Sequence, residues 1–166
     1  VHTTTDTDRG IADWLAGALD DPTQAHTEWK ELRVAMLPLG VRFTAVRISH
    51  DLVHAAVSST APDVVTSVLS EALAGPVIHD AVCHRYYAVT PDLDMGGWRP
   101  AEGAVLVGRG TWLGVPRLDQ TTPQRYSYWS VPPELPRTFC DLGRVAQLVH
   151  FGREQLAAAE QAGKRP

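Results

Sequence analysis

Apolar residues near the start of the chain fall at helical spacing. Ile11, Trp14, Leu15 and Leu19 make one stripe, so the first element reads as an amphipathic helix. Asp20, Asp21 and Pro22 close it, and Pro22 suits the first position of a second, shorter helix carrying Trp29 and Leu32. The period then changes. Val34 to Leu37 is a short apolar run, Phe43 to Ile48 alternates, and Pro38, Leu39 and Gly40 stand between them. That pattern predicts two strands joined by a tight turn. Ser49 is a candidate N-cap for a helix through Leu52, Val53 and Ala56. Pro62 and Asp63 open a clearer helix, with Val64, Val65, Val68, Leu69, Ala72 and Leu73 along one face and Gly75 as its stop.

The following stretch is strand-like, with strands expected at Val77–His79, Tyr86–Thr90, Ala104–Val107, Thr111–Val115 and Tyr126–Val131. Turn residues separate them at 92–97, 108–110 and 119–124, and Pro132, Pro133 and Pro136 form a stiff connector. A last helix begins near Asp141 and uses Leu142, Val145, Leu148, Val149 and Leu156. Helix runs segregated from strand runs predict an α+β fold, a mostly antiparallel sheet with helices packed on it. The expected organisation is a single domain over 9–162, with tails at 1–8 and 163–166 and no internal repeat.

Composition narrows the picture. The 166 residues are 44% hydrophobic and 20% charged, which is globular composition for one domain of ordinary size. A net charge of −4 gives no overall basic footprint, so phosphate binding would need a local cluster of arginines. Thirteen of the fifteen Lys and Arg residues are arginine, the lysines being Lys30 and Lys164. Cys83 and Cys140 do not make a disulfide framework. No apolar run reaches the roughly 18 residues of a membrane span, and residues 1–8 lack the apolar segment of a secretory signal, so the expected location is cytoplasmic, with no membrane partner.

Several groups of residues could carry chemistry. Asp92 and Asp94 follow a predicted strand two residues apart, where both carboxylates can face one side and hold a divalent metal; Pro91 and Gly96-Gly97 also fit an ordinary polar turn. His79, Asp80, Cys83 and His84 could bind zinc, with Cys140 and His150 as remote additions, or simply connect two strands. His50 and His54 have metal-competent i,i+4 spacing on a short helix whose default is an exposed face. Gly108-Arg109-Gly110-Thr111 reads as a hairpin turn rather than a phosphate loop, with Arg109 at its tip able to touch an anion. Trp98, Trp112, Tyr126, Tyr128 and Trp129 gather in the strand-rich half with Arg85, Arg109, Arg117 and Arg125 nearby. Exposed on a sheet, such a set stacks bases; buried, it is core.

A resemblance bears on these groups. Met36-Leu37-Pro38-Leu39-Gly40, Phe43-Thr44-Ala45-Val46-Arg47, Gly75-Pro76-Val77 and Tyr86-Tyr87-Ala88-Val89 carry it, as do residues 108–116 (from Gly108-Arg109-Gly110-Thr111-Trp112 to Pro116) and Tyr128-Trp129-Ser130-Val131-Pro132-Pro133. From about Trp14 to Leu148 the chain resembles a family of small actinobacterial proteins, common in Streptomyces, that look related to the N-terminal domain of bifunctional DNA primase/polymerases. An active member would need an acidic pair at a strand end, a phosphate-holding histidine and a further acid around paired magnesium or manganese ions. Only Asp92 and Asp94 imitate that set, and the histidine and third acid have no matching position, so the resemblance implies a reduced relative.

The expected function is therefore a non-catalytic binding or regulatory domain. Its ligand would be a nucleotide or nucleic acid, with Arg85, Arg109, Trp112 and Tyr128 as candidate contacts. Two alternatives stay open: a metal-dependent nucleotidyl transferase using Asp92 and Asp94, and a protein-interaction module without ligand chemistry.

Overall fold

Strand pairs throughout the described residues are antiparallel. The computed structural model describes residues 4–92 and 97–164. In chain order the elements are α1 (Asp6–Ala16), α2 (Pro22–Leu32), β1 (Val34–Pro38), β2 (Phe43–Ser49), α3 (His50–Val57) and α4 (Pro62–Leu73), then β3 (Val77–Asp80), β4 (Arg85–Pro91), β5 (Ala104–Val107), β6 (Trp112–Pro116), β7 (Tyr128–Val131) and α5 (Leu142–Gly163). Five strands form the central sheet in the order β5-β2-β4-β3-β7, and β1 pairs with β6 in a separate ribbon. This is the α+β architecture expected from the segregated patterns.

Alternation along the strands divides the core in two. Val46, Ile48, Val77, Tyr86, Ala88, Ala104 and Leu106 face the layer of α3, α4 and α5, where they meet Leu52, Val53, Leu69, Leu73, Val145 and Val149. Phe43, Ala45, Ile78, Val89, Val107 and Trp129 face the opposite layer, built from α1, α2 and the β1–β6 ribbon. The sheet is thus the middle of three layers. Trp29 of α2 ties the second layer down by donating its indole N–H to the Val115 carbonyl at 2.9 Å.

Several details differ from the sequence expectations, each for a physical reason. The tight turn after β1 exists, with Gly40 at φ 83°, but it does not make a hairpin: β1 pairs with β6, while β2 runs between β4 and β5. The turn hands the chain from the ribbon to the main sheet. The first helix starts inside the expected tail, because Thr5 and Asp8 form a reciprocal capping box around its first turn. Ser49 precedes α3 without a side-chain cap, and its backbone N–H donates to the Gly103 carbonyl at 2.7 Å. The left-handed residue that ends α4 is Ala74, not Gly75. Gly75 is small for another reason: a Cβ there would fall on the backbone of Phe139 and Cys140. The strand expected from Tyr126 begins at Tyr128. No single helix among the described residues is long and apolar enough to cross a membrane.

Candidate functional site

One end of the central sheet gathers four of the chain's seven histidines and two tyrosines. Strand register begins the assembly. His79 on β3 lies directly opposite Tyr86 on β4 and opposite Tyr128 on β7, so its imidazole stands between two phenol-bearing neighbours. The His79 and Tyr86 rings stack with centroids 4.1 Å apart and planes within 4°. Tyr128 meets His79 edge-on, and its hydroxyl shares a 2.7 Å hydrogen bond with His79 Nδ1.

Helix α3 supplies the next two imidazoles. His50 and His54 are four residues apart and so share one face of the helix. Their centroids are 3.9 Å apart; His50 stacks on His79 at 5.1 Å, and His54 Nε2 shares a 3.0 Å hydrogen bond with the Tyr86 hydroxyl. The β3–β4 turn brings the fourth. His84 closes that turn in the left-handed region, at φ 55°, its ring centroid 5.5 Å from that of His50. The His50 backbone N–H donates to the His84 carbonyl at 2.9 Å and pins the start of α3 to the turn.

Burial and mutual repulsion disfavour the charged form of His50, His54 and His79. His79 is held down at about 4, first because burial penalises the cation and then because His50, His54 and His84 repel it; Asp80 opposes the shift. Burial also lowers His50 and His54, with His84 acting further on His50, His50 acting on His54, and Asp51 opposing both shifts. His79 Nε2 is buried without a hydrogen-bond partner among the described residues. A protonated His79 would therefore bury an N–H with no acceptor, the costly arrangement for a charged group. Burial raises both Tyr86 and Tyr128, so the phenols stay neutral as well.

Among the described residues, the opposite face of the sheet at this same end is only partly covered. The α1, α2 and ribbon layer reaches Phe43, Ala45 and Val89 but leaves Val105 exposed and Arg47, Ser49 and Arg85 only half-buried. These four residues, with Cys83, His84 and Gly103, line a hollow of about 350 Å³. Arg47, Arg85 and His84 are among its lining residues, and none of its lining residues among those described is a carboxylate.

The structure distributes the other sequence candidates differently. Asp92 is exposed on the bend after β4, at the far end of the strand from His79 and His84, about 20 Å away at ~3.3 Å per residue; Asp94 lies outside the described residues. Among the described residues, no three His, Cys, Asp or Glu side chains are arranged to hold one metal ion. The proposed zinc group is split: His79 points into the buried cluster, Cys83 and His84 are exposed, and Asp80 accepts the Cys83 backbone N–H at 3.1 Å. Cys140 is buried and free, bonded to the Pro76 carbonyl, and burial pushes its thiol up to about 12. His150 pairs with Glu154 on α5.

The aromatic and arginine set also separates. Trp98, Tyr128 and Trp129 are buried, so Tyr128, 3% exposed and bonded to His79, serves the cluster and not an open stacking surface. Arg109 is exposed on the β5–β6 turn, and Trp112, 55% exposed, follows it. Both stand at the Asp92 end, whereas Arg85 belongs to the histidine end. Arg117 is held by Asp119 through bonds of 2.6 and 3.0 Å. Sequence reasoning treated His50/His54 and His79/His84 as two unrelated groups and did not single out Tyr86 or Arg47. The available signal was density: four histidines between positions 50 and 84.

No protein-family model, curated protein or solved structure gives a significant match to the chain.

Proposed function

We propose that this chain is a non-catalytic binding domain that takes a phosphate-bearing ligand, a nucleotide or a strand of nucleic acid, at the histidine end of its sheet. One observation carries the reading: Arg47, Arg85 and His84 line one hollow, with no carboxylate in its lining among the described residues, on a chain whose net charge is −4. Guanidinium groups match phosphate oxygens in a planar, bidentate manner. Arg85 is common to this reading and to the sequence expectation, and the reading is compatible with a reduced relative of primase/polymerase N-terminal domains. A transferase using Asp92 and Asp94 is less well supported, because the histidines gather at the other end of β4.

The test is titration of a short oligothymidylate and of ATP by fluorescence anisotropy and calorimetry at several salt concentrations. Binding should weaken as salt rises, since ion release drives it. The Arg47→Ala/Arg85→Ala pair should weaken it by about tenfold or more and flatten the salt slope by about one or two contacts. Absence of binding at low salt, or equal binding by the double variant, defeats the proposal. Binding lost in Trp112→Ala but kept in the double variant would move the site to the Arg109–Trp112 turn.

A further inference from the structure

A second concave site lies away from the histidine end, between residues 97–101 and the N-terminal half of α5. Its volume is about 460 Å³, within the range of small-molecule sites. Trp98, Ala101, Leu142, Ala146 and Val149 give it an apolar wall. Among the described residues, Arg99, His150 and Arg153 are its only ionisable lining residues, so the charge that these present to it is positive. The nearby acids are engaged or set apart. Asp141 caps α5 by accepting the Gly143 N–H at 2.7 Å, and Glu154 pairs with His150 at 3.1 Å. Arg153 also borders an adjoining hollow that holds Asp51, Glu102 and Glu160, but among the described residues it has no acid within ion-pair distance.

Trp98 adds an independent observation. It is more than nine-tenths buried, and its indole Nε1–H has no acceptor among the described residues. Buried indole N–H groups ordinarily find a partner, because leaving one unpaired is costly. Trp129 and Trp29 follow the rule, donating to the Pro116 and Val115 carbonyls. Trp98 is the exception, and it is the tryptophan that lines the cleft.

We propose that this cleft binds a small amphipathic carboxylate. Its apolar body would lie along Trp98, Ala146 and Val149, and its carboxylate would meet Arg99 and Arg153. Apolar contact supplies affinity without direction, whereas the guanidinium groups select the anionic end. Inorganic phosphate has the charge without the body, and a long-chain alcohol has the body without the charge.

The experiment is calorimetric titration of the whole chain with octanoate, octanol and inorganic phosphate at pH 7.5. Octanoate should bind saturably, with octanol and phosphate each at least about tenfold weaker, a difference of ~1.4 kcal/mol. Arg99→Ala/Arg153→Ala should lower octanoate affinity about tenfold with an unchanged thermal midpoint, since both side chains are exposed. Ala146→Phe, at an exposed helix position on the wall, should block octanoate and leave oligothymidylate binding unaltered. Equal affinity for octanol and octanoate would show a plain apolar surface and overturn the proposal. So would an unchanged octanoate affinity in the arginine double variant, or the absence of saturable octanoate binding at millimolar concentration.

Discussion

The two ends of the central sheet handle buried polarity in opposite ways. At the Asp92 end, Thr44 and Thr90 face the α3–α5 layer and are fully buried. Their hydroxyls bond to each other at 2.7 Å, and Thr44 donates also to the Pro91 carbonyl at 2.8 Å. These groups are satisfied and do not titrate. At the histidine end of the same face, the polar groups are imidazoles and phenols; two of their hydrogen bonds are made, and one ring nitrogen, His79 Nε2, has no partner among the described residues. One end is a closed polar pair that only stabilises. The other carries groups whose charge depends on pH, beside an open hollow bordered by arginine. A short, self-satisfying pair secures a strand, whereas an incompletely satisfied cluster is where a candidate site is sought.

Truncation should break the histidine end most severely. Tyr86→Ala removes the ring stacked on His79 and the partner of His54, and should cost about 3–5 kcal/mol in urea unfolding, as for other large buried aromatics. Acid should come next. With His79 at about 4 in the folded chain against an ordinary 6.5, the unfolded chain takes up the proton first. Its contribution is complete above about pH 6.5 and drains as pH falls toward 4, by on the order of 3 kcal/mol at most. Denaturation curves from pH 7.5 to 4.5 should show that decline, and His79→Phe should remove most of it; an unchanged slope in the variant would detach the acid sensitivity from this end.

The Asp92 end should behave otherwise. Thr44→Val leaves the Thr90 hydroxyl without its 2.7 Å partner and should cost about 1–2 kcal/mol, by the same amount at pH 7.5 and pH 5. A cost that changes with pH would erase the contrast between the ends. Asp92→Ala, at an exposed bend, should shift stability by no more than about 0.5 kcal/mol in a thermal melt. A larger loss would mean that Asp92 makes contacts that its exposed position does not indicate.

Legibility followed the range of the interactions. Strand β5 was read at its observed limits, and α2, α4, α5 and β4 to within a residue or two, because caps, prolines and apolar periods act over a few residues. The pairing of β1 with β6 was hidden: it joins Pro38 to Trp112 across more than seventy residues, and the turn at Gly40 looks the same whether or not it closes a hairpin. The acidic pair Asp92 and Asp94 was conspicuous because its members stand two residues apart in sequence, although among the described residues the histidine cluster gathers at the other end of β4 from Asp92. The histidine cluster was inconspicuous because its members come from α3, β3, the β3–β4 turn, β4 and β7. Tyr128 shows the cost of judging an aromatic without its neighbours. Its strand position was read well, but whether it stacked on a ligand or sat against His79 depended on which layer covered that face.

The sequence by itself determined the element types, the α+β class and the alternating faces of the strands, all of which follow from local backbone preference and the burial of apolar side chains. Tertiary structure alone decided the strand order, the division of the core between two layers and the meeting of His50, His54, His79 and His84 with Tyr86 and Tyr128. The reason is physical. A period of two or 3.6 fixes which side of an element a residue occupies, but only the packing of elements distant in the chain fixes what stands opposite it, and the chemistry of this domain lies in those opposite pairs.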